Sequence, residues 1–426
     1  MIDEEAARRW RILLYCGALI TLLNLASPAE GLIGVPLIFF LKNKLHLAAH
    51  ELAQFQVWAS APVYVAFAFG YLRDRFNPLG RGDRGYLMLF GALTASLYAG
   101  FAFAPPNYST LLIGILFIAT SILIVYSAQN GLTATLAREH LMSGQVSAVW
   151  NIVITAPGIA ALLLGGALSE ALESEAAGTA IRTLFLIGAA LMAAIALFGV
   201  LKPKSVFPEA KADARRPSKT LEDLARLLRH RPIYPALAIW TLWSFSPGSQ
   251  TPLQYHLTNT LRLSDAQYGL YNAIYSISLI PTYVLFGWLS PRVMLGRLLW
   301  WSAIVGLPGM IPLLVIHSAA GAMMIAVPIG LMAGLANAAF LDLVLRSCPK
   351  RLEGTVMMLG LSLITLSSNL GDLLGAALYD RWGDFVICVV AATASNALIL
   401  LALPLVPKAI VATADGEAPP LGAAAP

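Results

Sequence analysis

Three carboxylates interrupt stretches of chain that are otherwise strongly apolar: Glu30, Asp342 and Asp372. An ionised side chain near the centre of a bilayer costs about 2.5 to 3.5 kcal/mol even on lenient insertion scales, so an acid kept there calls for a function or a partner. Burial favours the neutral form of a carboxyl group, which brings proton uptake and release into the range of neutral pH. All three are therefore candidates for proton coupling. Asp342 has a second reading, because Arg346 follows it at i+4 and the two can pair on one helix face.

The other chemically informative residues form a charged segment that occurs twice. Phe69-Gly70-Tyr71-Leu72-Arg73-Asp74-Arg75 leads to Leu79-Gly80-Arg81, and Phe286-Gly287-Trp288-Leu289-Ser290-Pro291-Arg292 leads to Leu295-Gly296-Arg297. The second copy is one residue shorter and has lost the carboxylate. A degenerate repeat of this kind predicts a duplicated architecture. Gly70 and Gly80 allow close backbone approach and tight turning. Asp74, Arg75 and Arg81 could then form contacts that open and close, an asymmetric latch in view of the missing second acid.

The surroundings of these residues set the class of protein. Charged residues make up 12%, hydrophobic residues 58%, and the mean hydropathy is +0.73. Soluble domains carry roughly twice that charge. The pattern predicts an all-α polytopic membrane protein, since apolar runs of about 20 residues match the hydrocarbon thickness and helices satisfy their own backbone. Twelve spans are expected near 11–40, 48–72, 85–104, 108–134, 141–168, 180–201, 233–258, 266–289, 298–317, 320–345, 354–379 and 384–406. They group as a six-helix bundle over 1–201, a basic linker over 202–232 and a second six-helix bundle over 233–406. An amphipathic helix is expected within the linker at 218–230. The tail, 407–426, reads as disordered from its Ala, Gly and Pro content.

Lys and Arg are distributed unevenly. Of 28, 23 fall on the side that holds both ends of the chain and the linker, leaving Lys42, Lys44, Arg182, Arg262 and Arg381 opposite. The positive-inside rule places both termini in the cytoplasm of a cell (inner) membrane. The net charge of +5 thus reports topology and not nucleic-acid binding. The N-terminus shows no cleavable signal pattern. Cys16, Cys348 and Cys388 have no disulfide or zinc spacing, and no metal or other cofactor is expected. Neither a P-loop nor a hydrolase nucleophile or metal motif is present, so the chain does not read as an enzyme.

Six plus six helices, the repeat and Gly70-x-x-x-Asp74-Arg75 between spans 2 and 3 resemble the major facilitator superfamily over almost the whole chain. Two stretches resemble one branch of it, the folate-biopterin transporter family. They are Glu30-Gly31-Leu32-Ile33-Gly34 with Phe39-Phe40-Leu41-Lys42, and Asp342 through Cys348-Pro349 to Glu353-Gly354-Thr355 followed by Asn369. Glu30 stands where that branch often has an amide. The resemblance implies that Asp74 meets the start of span 11, where the helix dipole attracts an acid. Glu353 would then pair with Arg75 or Arg81, and Arg346 would complete a cytoplasmic gate.

The resemblance also implies a substrate cavity between spans 1, 4, 7 and 10. Its candidates are Asn24, Glu30, Tyr126, Gln129, Asn130, Gln250, Gln254, Tyr255 and Asn337, with Trp243, Asn151, Asn272 and Asn369 nearby. Amides and aromatics suit a flat polar heterocycle by stacking and edge hydrogen bonds. The expected function is alternating-access secondary transport of a pteridine or folate, coupled to protons, by a monomer whose partners are the solute, protons and lipid. The alternatives are a transporter of a drug, sugar or organic anion, and a non-transport assembly or pigment-delivery factor of the same fold. Prolines within spans, such as Pro28, Pro157, Pro247 and Pro328, predict bent helices, and Gly165-Gly166 and Gly330-x-x-x-Gly334 predict close packing.

Overall fold

The computed structural model describes residues 2–29, 31–47, 49–203, 206–207 and 220–417. Among the described residues the chain is helical, with no strand. Ten helices are long and apolar enough to cross a membrane.

Span 1 is α1 (Ile2–Ala26) and α2 (Gly31–Asn43), broken at Ser27-Pro28, because proline has no amide to donate and its ring blocks the preceding turn. Span 2 is α3 (Ala49–Tyr64) and α4 (Ala66–Arg75). Spans 3 to 6 are α5 (Asp83–Phe101), α6 (Tyr108–Glu139), α7 (Ser143–Glu173) and α8 (Ala177–Val200). The amphipathic linker helix is α9 (Thr220–Arg229). Span 7 is broken into α10 (Ile233–Ser244) and α11 (Thr251–Tyr255), which continues as a π-helical turn over His256–Thr260. Spans 8 to 12 are α12 (Asp265–Leu289), α13 (Leu295–Gly306), α14 (Ala319–Ser347), α15 (Glu353–Trp382) and α16 (Phe385–Ala402).

Two compact units emerge. One comprises 1–133, 156–219 and 351–359, the other 134–155, 220–350 and 360–426. Thus α7 begins in the second unit and continues into the first at Ala156, while α15 begins in the first and continues into the second at Gly360.

Small residues bring helices together inside each unit. In the first, a Cβ on Gly91 of α5 would lie 3.1 Å from the backbone nitrogen of Ala196 in α8, and Gly188 sits under the Tyr98 ring. In the second, a Cβ on Gly334 of α14 would lie 2.1 Å from Thr282 Oγ1 in α12, and one on Gly330 would lie 2.6 Å from the Tyr275 carbonyl. Without a hydrophobic drive between helices in lipid, such close approach supplies the packing. Gly330 and Gly334 behave as their spacing predicts. Gly166 does not: nothing lies within 4 Å of where its Cβ would be.

The tail also departs from expectation, because 407–417 is ordered. Lys408–Val411 forms α17, the Leu295 amide donates to the Thr413 carbonyl, and the Asp415 amide donates to the Ser290 carbonyl. Composition alone suggested disorder, but Ile410 and Asp415 are both buried and their contacts hold the segment.

Candidate functional site

The second unit contains a cavity of about 520 Å³, lined by α10, α12, α13 and the residues after it, α14, α15, α16 and the break in span 7. The helix is interrupted at Phe245–Gln250, where Pro247 has no amide to donate and Gly248 has φ +98°. That break turns Ser246, Ser249 and Gln250 toward the cavity. Trp243 Nε1 donates to Asn337 Oδ1 at 2.6 Å, and Asn337 Nδ2 donates to Tyr283 Oη at 3.3 Å. Gln250 Nε2 donates to Ser368 Oγ at 2.7 Å. Asn369 and Asn396 complete the wall, and among the described residues the buried Asn396 Oδ1 has no hydrogen-bond partner. None of the lining residues is charged.

Asp372 lies one turn beyond Ser368 on α15. Its carboxylate accepts from the Thr251 amide at 2.8 Å and from Thr251 Oγ1 at 2.7 Å, so it holds the first residue of α11 in place. The acid is thereby tied to the broken segment that also carries Gln250.

In the first unit the charged loop is engaged. Asp74 accepts from the amides of Gly354 at 3.1 Å and Thr355 at 2.6 Å and from Thr355 Oγ1 at 2.7 Å. These are the orphan donors of the first turn of α15, and an acid there also meets the positive end of the helix dipole. Arg73 grips Asp83 with two bonds of 2.6 Å and donates to Asp74 Oδ1 at 2.8 Å. Glu353 is buried and electrostatically coupled to Arg73. Gly70 is required for the approach, since a Cβ there would lie 2.3 Å from the Gly354 carbonyl oxygen. The turn itself runs through Leu79, Gly80 and Gly82 at positive φ, closed by the Gly82 amide donating to Asn77 Oδ1.

In the second unit, Arg346 pairs with Asp342 at 2.8 Å and Asp415 at 2.7 Å, with Asp342 fully buried.

A chain of this length with paired helical units can still belong to many families. The profile of the Major Facilitator Superfamily matches residues 19–371. The chain belongs to that superfamily. No curated protein sequence matches it. Among solved structures, the E. coli fucose:proton symporter FucP is 15% identical, with 92% of this chain and 97% of that chain covered and a TM-score of 0.70. The human organic anion transporter MFSD10 is 18% identical over 94% of this chain and 99% of its own, with a TM-score of 0.65. The proton:xylose symporter XylE is 14% identical over 92% and 95%, with a TM-score of 0.66. At such identities the likeness is one of fold. The protein is a multi-pass membrane protein with the major facilitator fold: twelve transmembrane helices, six and six.

Within this superfamily member, Gln250 and Asn337 come together in the cavity with Trp243 and Asn369. Gln254 and Tyr255, on α11, are exposed. Asn24, Tyr126, Gln129 and Asn130 belong to the first unit. There Asn24 Nδ2 donates to the Ile20 carbonyl, Gln129 Nε2 to Thr133 Oγ1, and Asn130 Nδ2 contacts Met358 Sδ. Glu30 lies outside the described residues. Arg75 donates to Tyr71 Oη, and the exposed Arg81 contacts Met88 Sδ.

Sequence reasoning missed Arg73 as the centre of the charged loop, and missed Asp83, Asp415 and the hydroxyl wall of Ser246, Ser249, Thr365 and Ser368. An Arg with acids at i+1 and i+10 was a visible signal for the first two. Nothing local marked Asp415.

His230 closes the linker against the second unit, its Nε2 lying 3.0 Å from the Ser347 carbonyl. Burial lowers its pKa from 6.5, and Arg226 and Arg138 lower it further, against the opposing pull of that carbonyl. The unfolded chain takes up this proton first, so the folded state loses stability as pH falls below about 6.5. His230→Gln is expected to flatten the acid side of a thermal-unfolding profile; an unchanged profile would mean that His230 does not carry this dependence.

Proposed function

We propose that this superfamily member is a secondary transporter that moves a small uncharged polar solute by alternating access, coupled to protons. The observation that carries the reading is the cavity: about 520 Å³, uncharged, with amides and hydroxyls around Trp243. Amides and hydroxyls offer both donors and acceptors, so the site favours a solute whose polar edge can meet both. A flat heteroaromatic of pteridine size meets these terms, stacking on Trp243 with its edge toward Asn337 and Gln250. A folate, with its carboxylates, meets no cation on this wall. The density of hydroxyls favours a second reading, a sugar, and two of the fold relatives are sugar:proton symporters by name.

Asp372 is the proton-coupling residue in this reading. As a carboxylate it accepts two hydrogen bonds from Thr251; protonated, it accepts them less well and releases the start of α11 beside Gln250. The charged-loop end faces the cytoplasm of the cell membrane, with both termini, as the Lys and Arg distribution indicates.

The test is flux into proteoliposomes with labelled pteridines, folates, aldoses and unrelated metabolites, with and without a pH gradient. Gradient-driven flux of a neutral ring solute is expected. No flux across the panel would favour a non-transport role. Asp372→Asn is expected to leave downhill exchange of the solute intact and abolish its response to the gradient; a retained response would remove Asp372 from coupling.

A further inference from the structure

The repeated loop keeps its acid only in the first copy, yet both units hold the same cluster. Asp74 accepts from the amides of the second and third residues of α15, Gly354 and Thr355. Asp415, from the tail, accepts from the amides of the second and third residues of α7, Gly144 at 3.2 Å and Gln145 at 2.9 Å. Arg73 clamps Asp74 together with Asp83; Arg346 clamps Asp415 together with Asp342. In each case the second helical residue is a glycine with no room for a side chain: a Cβ on Gly354 would lie 2.8 Å from Asp74 Oδ1, and one on Gly144 would lie 2.4 Å from Ser290 Cβ. The repeat's first glycine also makes the equivalent approach, Gly70 to the backbone of Gly354 and Gly287 to Ala148 Cβ at 3.0 Å.

Ser290 and Pro291 occupy the repeat positions of Arg73 and Asp74. With no charge of its own, the second loop contributes the Ser290 hydroxyl, which donates to Asp415 Oδ2 at 3.2 Å, and the Ser290 carbonyl, which accepts from the Asp415 amide at 2.9 Å. Arg346 Nη1 binds the Thr413 carbonyl and the Gly416 amide donates to the Leu141 carbonyl, so the tail is fixed on both sides of the acid. Asp415 is 6% exposed.

We propose that Asp415 is a positioning residue for alternating access: the C-terminal tail supplies the carboxylate that the second loop lost, and the α7 latch opens only when the tail leaves. The inference rests on the transporter reading, in which the Asp74 cluster is the other latch of the same gate. α7 and α15 each begin in one unit and continue into the other. The second latch is then detachable, unlike the first, and whatever binds the tail would release it.

The test uses full-length protein in proteoliposomes, with Cys16, Cys348 and Cys388 replaced by Ser and one cavity probe, Thr365→Cys. A membrane-impermeant maleimide is applied from the tail-bearing face or from the opposite face, and the ratio of the two labelling rates reports which way the cavity opens without any knowledge of the solute. Asp415→Asn is expected to raise the tail-side ratio about tenfold, as loss of a charge-assisted contact should. Gly144→Ala, which leaves the tail intact and pushes the α7 start off Ser290, is expected to act in the same direction. Asp74→Asn serves as the reference for the other latch. If Asp74→Asn raises the ratio while both second-latch variants leave it unchanged, the tail latch is overturned. If none of the three moves it, the gate reading itself falls.

Discussion

Replacing Arg73 by Met is expected to lower the unfolding free energy of the first unit more than any other single change in the charged loop. Arg73 is 4% exposed and binds both oxygens of Asp83 at 2.6 Å and Asp74 at 2.8 Å. Methionine fills most of the volume but leaves two carboxylates without their cation. Breaking a buried ion pair from one side costs about 3 to 5 kcal/mol, because the remaining charge stays desolvated. Lysine should recover little, since a single ammonium cannot hold two carboxylates with the forked geometry of a guanidinium. Asp83→Leu placed on the Arg73→Met background should recover part of the loss. Thermal unfolding in detergent micelles reads all three variants. An unfolding temperature unmoved by Arg73→Met would mean that the cluster contributes nothing to stability.

Gly70→Ala is expected to have the largest effect on the gate for the smallest change in chemistry. The added Cβ would lie 2.3 Å from the Gly354 carbonyl oxygen and 2.8 Å from Thr355 Cα. Both obstacles are backbone, so no rotamer change relieves them; α4 or the start of α15 must move away. Overpacking of this kind costs typically about 1 to 3 kcal/mol. Here it also stretches the three hydrogen bonds from Gly354 and Thr355 to Asp74. Hydrogen exchange of the first turn of α15 should accelerate while that of the first turn of α7 stays as it was. Gly100→Ala, at a helical position with nothing within 4 Å, is the control and should be silent. Equal exchange in Gly70→Ala and the parent protein would show that the helices separate without loss of the latch.

The membrane class and the twelve spans were legible from composition and run length, since a bilayer of fixed thickness imposes a length on every apolar segment and demands that its backbone bond to itself. Helices break at Pro28 and Pro247, whereas Pro157 and Pro328, which lack the same amide, lie inside the continuous α7 and α14, so proline alone did not locate the breaks. The Asp342–Arg346 pair was legible, fixed by the period of one helix. Asp74 on the start of α15 came from family resemblance, and its hydrogen bonds agree with it.

Other features depended on contacts between residues far apart in sequence. Asp415 lies in a low-complexity tail, and only the placement of Arg346, Ser290 and the first turn of α7 around it makes the acid buried and ordered. Gln250 and Asn337 share a wall, while Gln254 and Tyr255, a turn away on α11, do not line it. Sequence by itself determined what could cross the membrane and where charge would gather, since those follow from transfer free energies of single segments. Which carboxylate meets which helix start was decided by the tertiary structure, since a hydrogen bond depends on distances that no local pattern encodes.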